Sequence, residues 1–423
     1  MPNDSLRRRM LAGRIGILLA ALGPGMITAM ADNDATGVLG YSQAGARYGY
    51  SFLWVMALSA FSLAIAQEVC ARMGAVTGRG LADLIREEYG VRITVLAMIA
   101  LLVANFATTV ANFAGMLAAV TVFAPEWTRF VLLPVAGLVI WALVTHGSYR
   151  QVERALLYAS LIYVCYVVSA FLAHPPWSEV ARQIVMPDFS RIVPLGDYVF
   201  MAINVIGTTI TPWEQFYVQS AIRDKGLRPD QYRLVRLDVY VGAFVMGIVG
   251  SAIIICCGAT LHAQGITDIE DAGQAARALA PIAGPLASAL FAIGLFNASC
   301  LGAVVLPLST AYAVTEALGW ESGVGRRVRE APLFVGLYTA LIALSLIVVI
   351  LWPHRLTTLI ILPNIVGGML LPIILVLMLL LANKRRLMGS MVNSRFQNIA
   401  AWSLTVVLAV LSAILVGSAL FGS

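Results

Sequence analysis

Two short polar stretches interrupt segments that are otherwise apolar. Residues 31–37 read ADNDATG, and residues 207–214 read GTTITPWE. Together they place three carboxylates, several hydroxyls and one side-chain amide inside runs of hydrophobic residues. A charge at the centre of a bilayer costs at least ~2.5–3.5 kcal/mol on insertion scales, so such residues usually face a cavity or an ion pathway. The chemistry to expect from these oxygen-bearing side chains is the binding of a cation.

The elements that carry these side chains are expected to be broken helices. Glycine and small polar residues favour unwinding, and unwound backbone at membrane depth is tolerated only where it lines protein or a water-filled cavity. The two stretches occupy corresponding places in the two halves of the chain. A pair of interrupted hydrophobic segments in such places indicates the binding site of a transporter.

The composition defines a polytopic membrane protein. The chain has 423 residues, of which 60% are hydrophobic and 12% charged, with a mean hydropathy of +0.86. A soluble domain carries about 25% charged residues, so a soluble fold is excluded. The net charge of +6 requires no nucleic-acid partner. The five cysteines lie in apolar stretches without metal-ligand spacing and are predicted to be buried, unpaired thiols.

Apolar segment lengths predict eleven membrane spans. They cover residues 13–43, 50–73, 93–123, 129–147, 153–174, 195–221, 237–262, 280–317, 331–352, 356–382 and 399–421. With the N-terminus in the cytoplasm, 22 of the 28 Lys and Arg residues fall on the inside, as the positive-inside rule requires. The sequence therefore predicts a multi-pass protein of the bacterial inner (plasma) membrane with a cytoplasmic N-terminus. The loop at 74–92 is expected to hold a short amphipathic helix.

The spans form one transmembrane domain over residues 1–423. Repeat one covers about 13–174, repeat two about 195–382, and an extra helix about 399–421. Each repeat has five spans and begins with a broken helix. Because five is odd, the second repeat must insert upside down, as in the inverted repeats of the LeuT-type fold. The predicted fold class is thus an all-α membrane protein with a LeuT-type fold.

Several long motifs resemble those of the NRAMP family of divalent-metal transporters. The first span, GPGMITAMADNDATG followed by QAGARYGY, is similar to the family's GPG…DPGN…GA.xGY pattern. The segment GTTITPWEQFYVQSA resembles the sixth-span pattern GTTVMPHNLYLHSA, and PNIVGGMLLP and KRRLMG resemble span ten and the loop after it. The resemblance covers nearly the whole chain and implies that Asp34 is the metal-binding aspartate.

The departures from the family pattern fall at its functional positions. Gly37 replaces a binding-site asparagine, and Thr211 replaces the methionine whose sulfur contacts the metal. Trp213 and Gln219 stand at the two histidine positions of the sixth span, and Thr109 and Asn112 stand at acidic positions of span three, so none of the four titrates near neutral pH. Asn364 stands at a glutamine position of span ten. This set is similar to that of the NRAMP-related magnesium transporters.

The site chemistry agrees with that branch. A thioether favours soft transition metals, whereas Mg²⁺ and Ca²⁺ prefer oxygen, and Mg²⁺ usually keeps several waters. We expect Gly37 and Thr211 to make room for those waters. The predicted metal-site residues are Asp34, Thr208, Thr211, Glu214 and Gly37. The residues predicted to support them are Asp32, Asn33, Thr36, Trp213 and Asn364.

The leading interpretation is a secondary transporter that carries Mg²⁺, and also Mn²⁺, into the cytoplasm by alternating access. We expect a hydrated ion, no cofactor, no enzymatic activity and a monomer in the bilayer. We also expect no proton coupling, because the altered proton-path positions Thr109, Asn112 and Gln219 do not titrate near neutral pH. Two alternatives remain open: a proton-coupled Mn²⁺/Fe²⁺ importer, and a carrier of organic solutes with the same fold.

Overall fold

The computed structural model describes residues 23–187, 195–352 and 356–421, with only the backbone described at residues 195, 356–366 and 415–421. The first half contains nine helices in the described part: α1 (Pro24–Asp32), α2 (Ala35–Tyr48), α3 (Leu53–Thr77), α4 (Leu81–Tyr89), α5 (Val91–Val120), α6 (Arg129–His146), α7 (Tyr149–Leu161), α8 (Val164–Leu172) and α9 (Trp177–Val185). The second half continues with α10 (Leu195–Thr209), α11 (Pro212–Lys225), α12 (Tyr232–Thr260), α13 (Ala272–Ala283), α14 (Pro285–Leu318), α15 (Pro332–Leu351), α16 (Leu356–Ala382), α17 (Arg385–Met388) and α18 (Arg395–Phe421).

The helices coincide with the predicted spans. Within the described residues, eight helical segments are long and apolar enough to cross a membrane, and a ninth is a bent pair that includes Gly367–Ala382. The other two predicted spans are the interrupted pairs α1/α2 and α10/α11. Residues 13–22 of the first predicted span lie outside the described residues. In the predicted loop at 74–92, α4 is a short amphipathic helix that buries Leu81, Leu84 and Ile85.

Both helix breaks have a local cause in the sequence. The chain leaves α1 at Asp32 and resumes as α2 at Ala35, with Asp34 as the N-cap residue. In the second pair, Pro212 is the first residue of α11, and Thr211 is its N-cap. Proline lacks an N–H, so it cannot continue the bonding of α10. Ser, Thr, Asp and Asn are the residues that best begin a helix, so both breaks are followed at once by a well-capped start.

The core around the first break is formed by long, buried helices. Helix α12 packs against α1, α2 and α3, and α14 packs along α5. Gly25 of α1 and Gly242 of α12 allow a close crossing, because a Cβ on Gly25 would lie 2.8 Å from the backbone of Val239. The five cysteines are all unpaired, and each is buried or half-buried.

Candidate ion-binding site

Asp34 begins the second half of the first broken helix. Its Oδ1 accepts hydrogen bonds from the Thr36 N–H (2.9 Å), the Gly37 N–H (3.0 Å) and the Thr36 hydroxyl (2.6 Å). Its Oδ2 accepts one hydrogen bond, from the side-chain amide of Asn112 on α5 (2.9 Å). These donors hold the carboxylate at the break in a single orientation, with Oδ1 saturated and Oδ2 only partly satisfied.

Glu214 stabilises the helix start at the second break, as Asp34 does at the first. Its Oε1 accepts from the Thr211 N–H (3.1 Å) and the Thr211 hydroxyl (2.6 Å). The first of these bonds, with the hydrogen bond that the Thr211 side chain accepts from the Glu214 N–H, forms a capping box. Its Oε2 accepts from the side chain of Gln67 on α3 (3.0 Å). The fully buried Glu214 carboxylate is therefore held mainly by its own helix start and by α3.

The two breaks meet at one small cavity of about 40 Å³. Its walls come from both broken helices, from α5 and from α16. The lining residues are Asp32, Asp34, Thr36, Leu101, Ala104, Asn105, Thr108, Gly207, Thr208, Thr211, Pro212, Trp213, Gly367 and Gly368. The volume suits about three water molecules or an ion with a few waters.

Asp32 is the second carboxylate on this cavity. The residue is 2% exposed, and neither of its side-chain oxygens accepts a hydrogen bond from an N–H or hydroxyl group in the described part of the chain. The Glu214 carboxyl lies beside it. A pair of buried carboxyl groups is costly in the charged form unless a cation or a proton neutralises it, so this arrangement favours either a cation in the cavity or a proton held by the pair.

Backbone carbonyls near the breaks are also released from helical bonding. Pro212 has no N–H to donate to the carbonyl of Thr208, which is one helical turn earlier. In the first pair, the Ala35 N–H would bond the Ala31 carbonyl in a continuous helix, but it is donated to the side-chain oxygen of Asn112 (3.1 Å). Carbonyl oxygens at such breaks can coordinate cations.

The structure brings together some of the residues predicted from sequence and separates others. Six of them line the cavity: Asp32, Asp34, Thr36, Thr208, Thr211 and Trp213. Glu214 stands behind the wall against Asp32 and Thr211. The Asn33 side-chain amide donates to the Met246 carbonyl of α12, and the Asn33 backbone carbonyl accepts a hydrogen bond from the Tyr163 hydroxyl.

Gly37 does not enlarge the cavity, contrary to the expectation from sequence. A Cβ on this residue would lie 2.8 Å from the Asp32 carbonyl oxygen. The glycine therefore permits a close backbone approach at the break, and the space beside it is already taken. Of the two substitutions expected to make room for water, only Thr211 adjoins the cavity.

The altered proton-path positions have ordinary polar partners in this structure. The Thr109 hydroxyl donates to the Asn105 carbonyl of its own helix (2.6 Å), and Asn112 contacts Asp34. The Gln219 side chain donates to the Arg79 carbonyl (2.9 Å), in the segment that leads into α4. The side chain of Asn364 lies outside the described residues.

Sequence reasoning missed Asn105 and Thr108, which line the cavity from α5. Together with Asn112 they recur at helical spacing within an apolar helix. Residues three, four and seven apart share one helix face. This polar stripe was a usable signal, because an apolar span has little reason to keep amides on one face unless they meet polar partners.

A second, larger cavity lies on the other side of Thr36. It measures about 660 Å³ and is lined by residues of α2, α5, α13 and α14, with Glu126, Glu270, Asp271 and Arg277 among its polar residues. Ala35 and Thr36 also line it. This vestibule reaches the helix break from the side predicted to be outside.

The opposite end of the first broken helix is tightly held. The Asp238 carboxylate on α12 accepts hydrogen bonds from the backbone N–H groups of Gly23 (2.8 Å), Gly25 (2.7 Å) and Met26 (3.0 Å). Beside Gly23, Lys225 forms an ion pair with Glu153 (2.7 Å). The start of α1 is thereby tied to α12.

An all-helical, multi-pass protein with two broken helices that meet at a polar cavity has the architecture of the LeuT-type fold. The profile of the Nramp family, described as "Natural resistance-associated macrophage protein-like", matches residues 25–418. The chain therefore belongs to the Nramp family, and the resemblance seen in its motifs is confirmed.

Individual relatives and solved structures agree with this assignment. The chain is 28% identical over 429 residues to a protein of Ralstonia nicotianae named "Divalent metal cation transporter MntH", with 96% of this chain and 92% of the relative covered. It is 25% identical to the Bacillus subtilis protein of the same name, with 94% and 92% covered. A mutant of the Eremococcus coleocola manganese transporter superimposes with a TM-score of 0.77 at 19% identity, covering 95% of this chain and 87% of that one.

Proposed function

We propose that the protein is a secondary transporter of divalent metal cations that carries Mg²⁺, and also Mn²⁺, into the cytoplasm by alternating access. The observation that carries this proposal is the pair of buried carboxylates, Asp32 and Asp34, on one small cavity between two helix breaks. Asp32 accepts no hydrogen bond from an N–H or hydroxyl group of the described residues and lies beside the Glu214 carboxyl, so a bound cation would offset the negative charge at this place. Family membership and the names of the relatives support the same substrate class.

Oxygen is the only side-chain ligand type that the described cavity wall offers. Its polar side chains are carboxylates, hydroxyls and the Asn105 amide, together with the Trp213 indole, and no Met, Cys or His is among its lining residues. Hard oxygen sites suit Mg²⁺ and Mn²⁺, whereas thioethers and imidazoles favour softer metals. Thr211 stands where a thioether would otherwise reach the ion, which supports Mg²⁺ as a substrate.

The size of the cavity supports a partly hydrated ion. Mg²⁺ binds through one or two carboxylates and keeps several waters. About 40 Å³ holds roughly three waters, and two carboxylates line the same space. The same size and charge argue against an organic solute as the substrate.

The two sides of the site support transport by alternating access. The vestibule leads to Thr36 from one side, while on the other side the Asp238 carboxylate ties the start of α1 to α12. We infer that the ion enters through the vestibule and leaves when α1 separates from α12. The membrane potential contributes about 2.3 kcal/mol per charge per 100 mV to inward movement of the ion.

Transport without proton coupling is part of the proposal. Thr109, Asn112 and Gln219 carry no group that titrates near neutral pH, and each has a hydrogen-bond partner in the structure. Beyond the cavity, these positions offer no relay for a proton.

A proton-coupled manganese importer is the second candidate. The solved neighbours are manganese transporters, and the adjacent carboxyl groups of Asp32 and Glu214 form a pair that can hold a proton between them. This candidate requires that the pair exchange its proton with the inside during each cycle.

The deciding experiment is divalent-ion uptake into proteoliposomes that contain a trapped pH-sensitive dye. We expect saturable uptake of Mg²⁺ and Mn²⁺ without acidification of the interior, and empty liposomes serve as the control. Acidification that follows Mn²⁺ uptake and requires the protein would establish the second candidate. If the protein takes up Mn²⁺ strongly but does not take up Mg²⁺, then Mg²⁺ is not a substrate.

A further inference from the structure

We propose that Asn112 is a specificity-determining positioning residue: it fixes Oδ2 of Asp34, the one carboxylate oxygen that the donors of Thr36 and Gly37 leave free for an ion, and thereby favours Mg²⁺ over Ca²⁺. This inference rests on the proposed function, because it takes Asp34 as an ion ligand. It gives Asn112 a part in ion selection, beyond the lack of a titratable group at this position.

The Asn112 side chain forms hydrogen bonds with three groups: one side chain and two backbone groups. Its Nδ2 donates to Asp34 Oδ2 (2.9 Å) and to the Thr108 carbonyl of its own helix (3.0 Å). Its Oδ1 accepts from the Ala35 N–H (3.1 Å). An amide offers both a donor and an acceptor, and this pairing uses both. A carboxylate at this position has no N–H to offer Asp34 Oδ2.

The packing around Asn112 leaves the amide no freedom to turn away. The residue is fully buried. Gly302 of α14 lies against it, since a Cβ on Gly302 would come within 2.6 Å of three atoms of the Asn112 side chain. Glycine at 302 is therefore what lets the amide occupy this place.

The hydrogen bonds decide how Asp34 can bind an ion. Three donors saturate Oδ1, and the Asn112 amide takes one of the two acceptor positions of Oδ2. One position on Oδ2 is left, so the carboxylate binds an ion or its water through a single oxygen. Mg²⁺ requires near-ideal octahedral geometry, whereas Ca²⁺ accepts six to eight oxygens and two-oxygen carboxylate binding. A rigid, one-oxygen ligand suits Mg²⁺.

Asn112 also keeps the helix break open. By accepting the Ala35 N–H, it prevents that group from bonding the Ala31 carbonyl and closing the last turn of α1. Loss of the amide removes this competition. The same side chain therefore fixes both the carboxylate and the released carbonyl near the break.

The test compares uptake and binding of Mg²⁺ and Ca²⁺ by the full-length protein and its Asn112→Ala variant. For Asn112→Ala we expect KM and Kd for Mg²⁺ to rise about tenfold or more, the size of effect expected when a hydrogen bond to a charged group is lost. The values for Ca²⁺ should rise less, so the Mg²⁺/Ca²⁺ preference falls. Thr109→Val is the matched control, because it removes a buried hydroxyl from the same helix without touching Asp34.

Gly302→Ala supplies an independent variant that displaces the Asn112 side chain without removing it. We expect the same fall in Mg²⁺/Ca²⁺ preference. An equal loss of Vmax for both ions with unchanged KM, in either folded variant, would show a merely structural role and overturn the inference.

Asp34→Ala separates this inference from the proposed function. If Asp34→Ala transports both ions normally, Asp34 is not a ligand, and the proposed site fails together with the inference. If Asp34→Ala abolishes uptake but Asn112→Ala keeps the Mg²⁺/Ca²⁺ preference of the native protein, only the role of Asn112 is wrong.

Discussion

Replacing Asp34 by asparagine removes a charge from the cavity while keeping the shape of the side chain. Asparagine caps a helix as well as aspartate does, so its oxygen can still accept from the backbone N–H groups of Thr36 and Gly37. Its amide nitrogen, however, would face the Asn112 amide, where the native Oδ2 accepts at 2.9 Å. Two donors would then oppose each other. We expect the helix start to survive and the ion site to fail.

The size of the effect follows from the charge. A carboxylate attracts a divalent ion about 4 Å away by about 8 kcal/mol at an effective dielectric constant of 20. Solvent and the ion's own waters reduce this value. If about one third remains, roughly 2.7 kcal/mol, the dissociation constant still rises about 100-fold. The Asp34→Ala variant should lose the same binding and, in addition, about 1 kcal/mol of stability through the lost helix cap.

The assay is Mn²⁺ and Mg²⁺ binding to purified Asp34→Asn, followed by uptake into proteoliposomes and a thermal melt of the same samples. We expect a folded protein with a single cooperative melt, and no uptake at ion concentrations that saturate the native protein. Glu126→Gln on the vestibule wall is the charge-matched control. Normal ion affinity in a well-folded Asp34→Asn protein would refute the reasoning and place the site elsewhere.

Three further perturbations test other parts of the structure. Thr211→Met should raise Cd²⁺ and Mn²⁺ binding relative to Mg²⁺, because a soft ligand enters the cavity; unchanged ratios in calorimetric titrations would contradict the oxygen-only site. Asp238→Ala should lower the melting temperature by removing the acceptor for three N–H groups of α1, at a cost of about 2 kcal/mol or more, and an unchanged melt would show that the contact does not contribute. Outside the membrane, a hydrogen bond from the Lys384 ammonium to Glu88 (2.6 Å) holds the pKa of that carboxyl below its ordinary value. The stabilising contact is therefore present above the ordinary pKa of a glutamate and is lost as the pH falls through the lowered pKa of Glu88. Glu88→Gln should therefore have a lower melting temperature than the native protein at neutral pH and the same melting temperature in strong acid.

The sequence by itself determined the number of spans, the places of both breaks and the family. Span lengths follow from the thickness of the bilayer, and every predicted span coincides with a helix or helix pair in the described parts of the chain. The breaks were predictable because Pro212 and the polar residues at 32–34 act locally on backbone bonding. The importance of Asp34 followed from its position at such a break and from the family motif.

The tertiary structure alone decided which polar side chains share the cavity. Across a break no helical period relates the directions of the two half-helices, so the sequence did not show that Asp32 lines the cavity while Glu214 stands behind it. The sequence also did not show that the Asp32 carbonyl occupies the space beside Gly37. Asn112 is 78 residues from Asp34 in the chain, and only the packing of α5 against the first broken helix brings its amide to that carboxylate. Contacts of this kind depend on how distant helices pack, because hydrogen bonds require atoms to meet within about 3 Å.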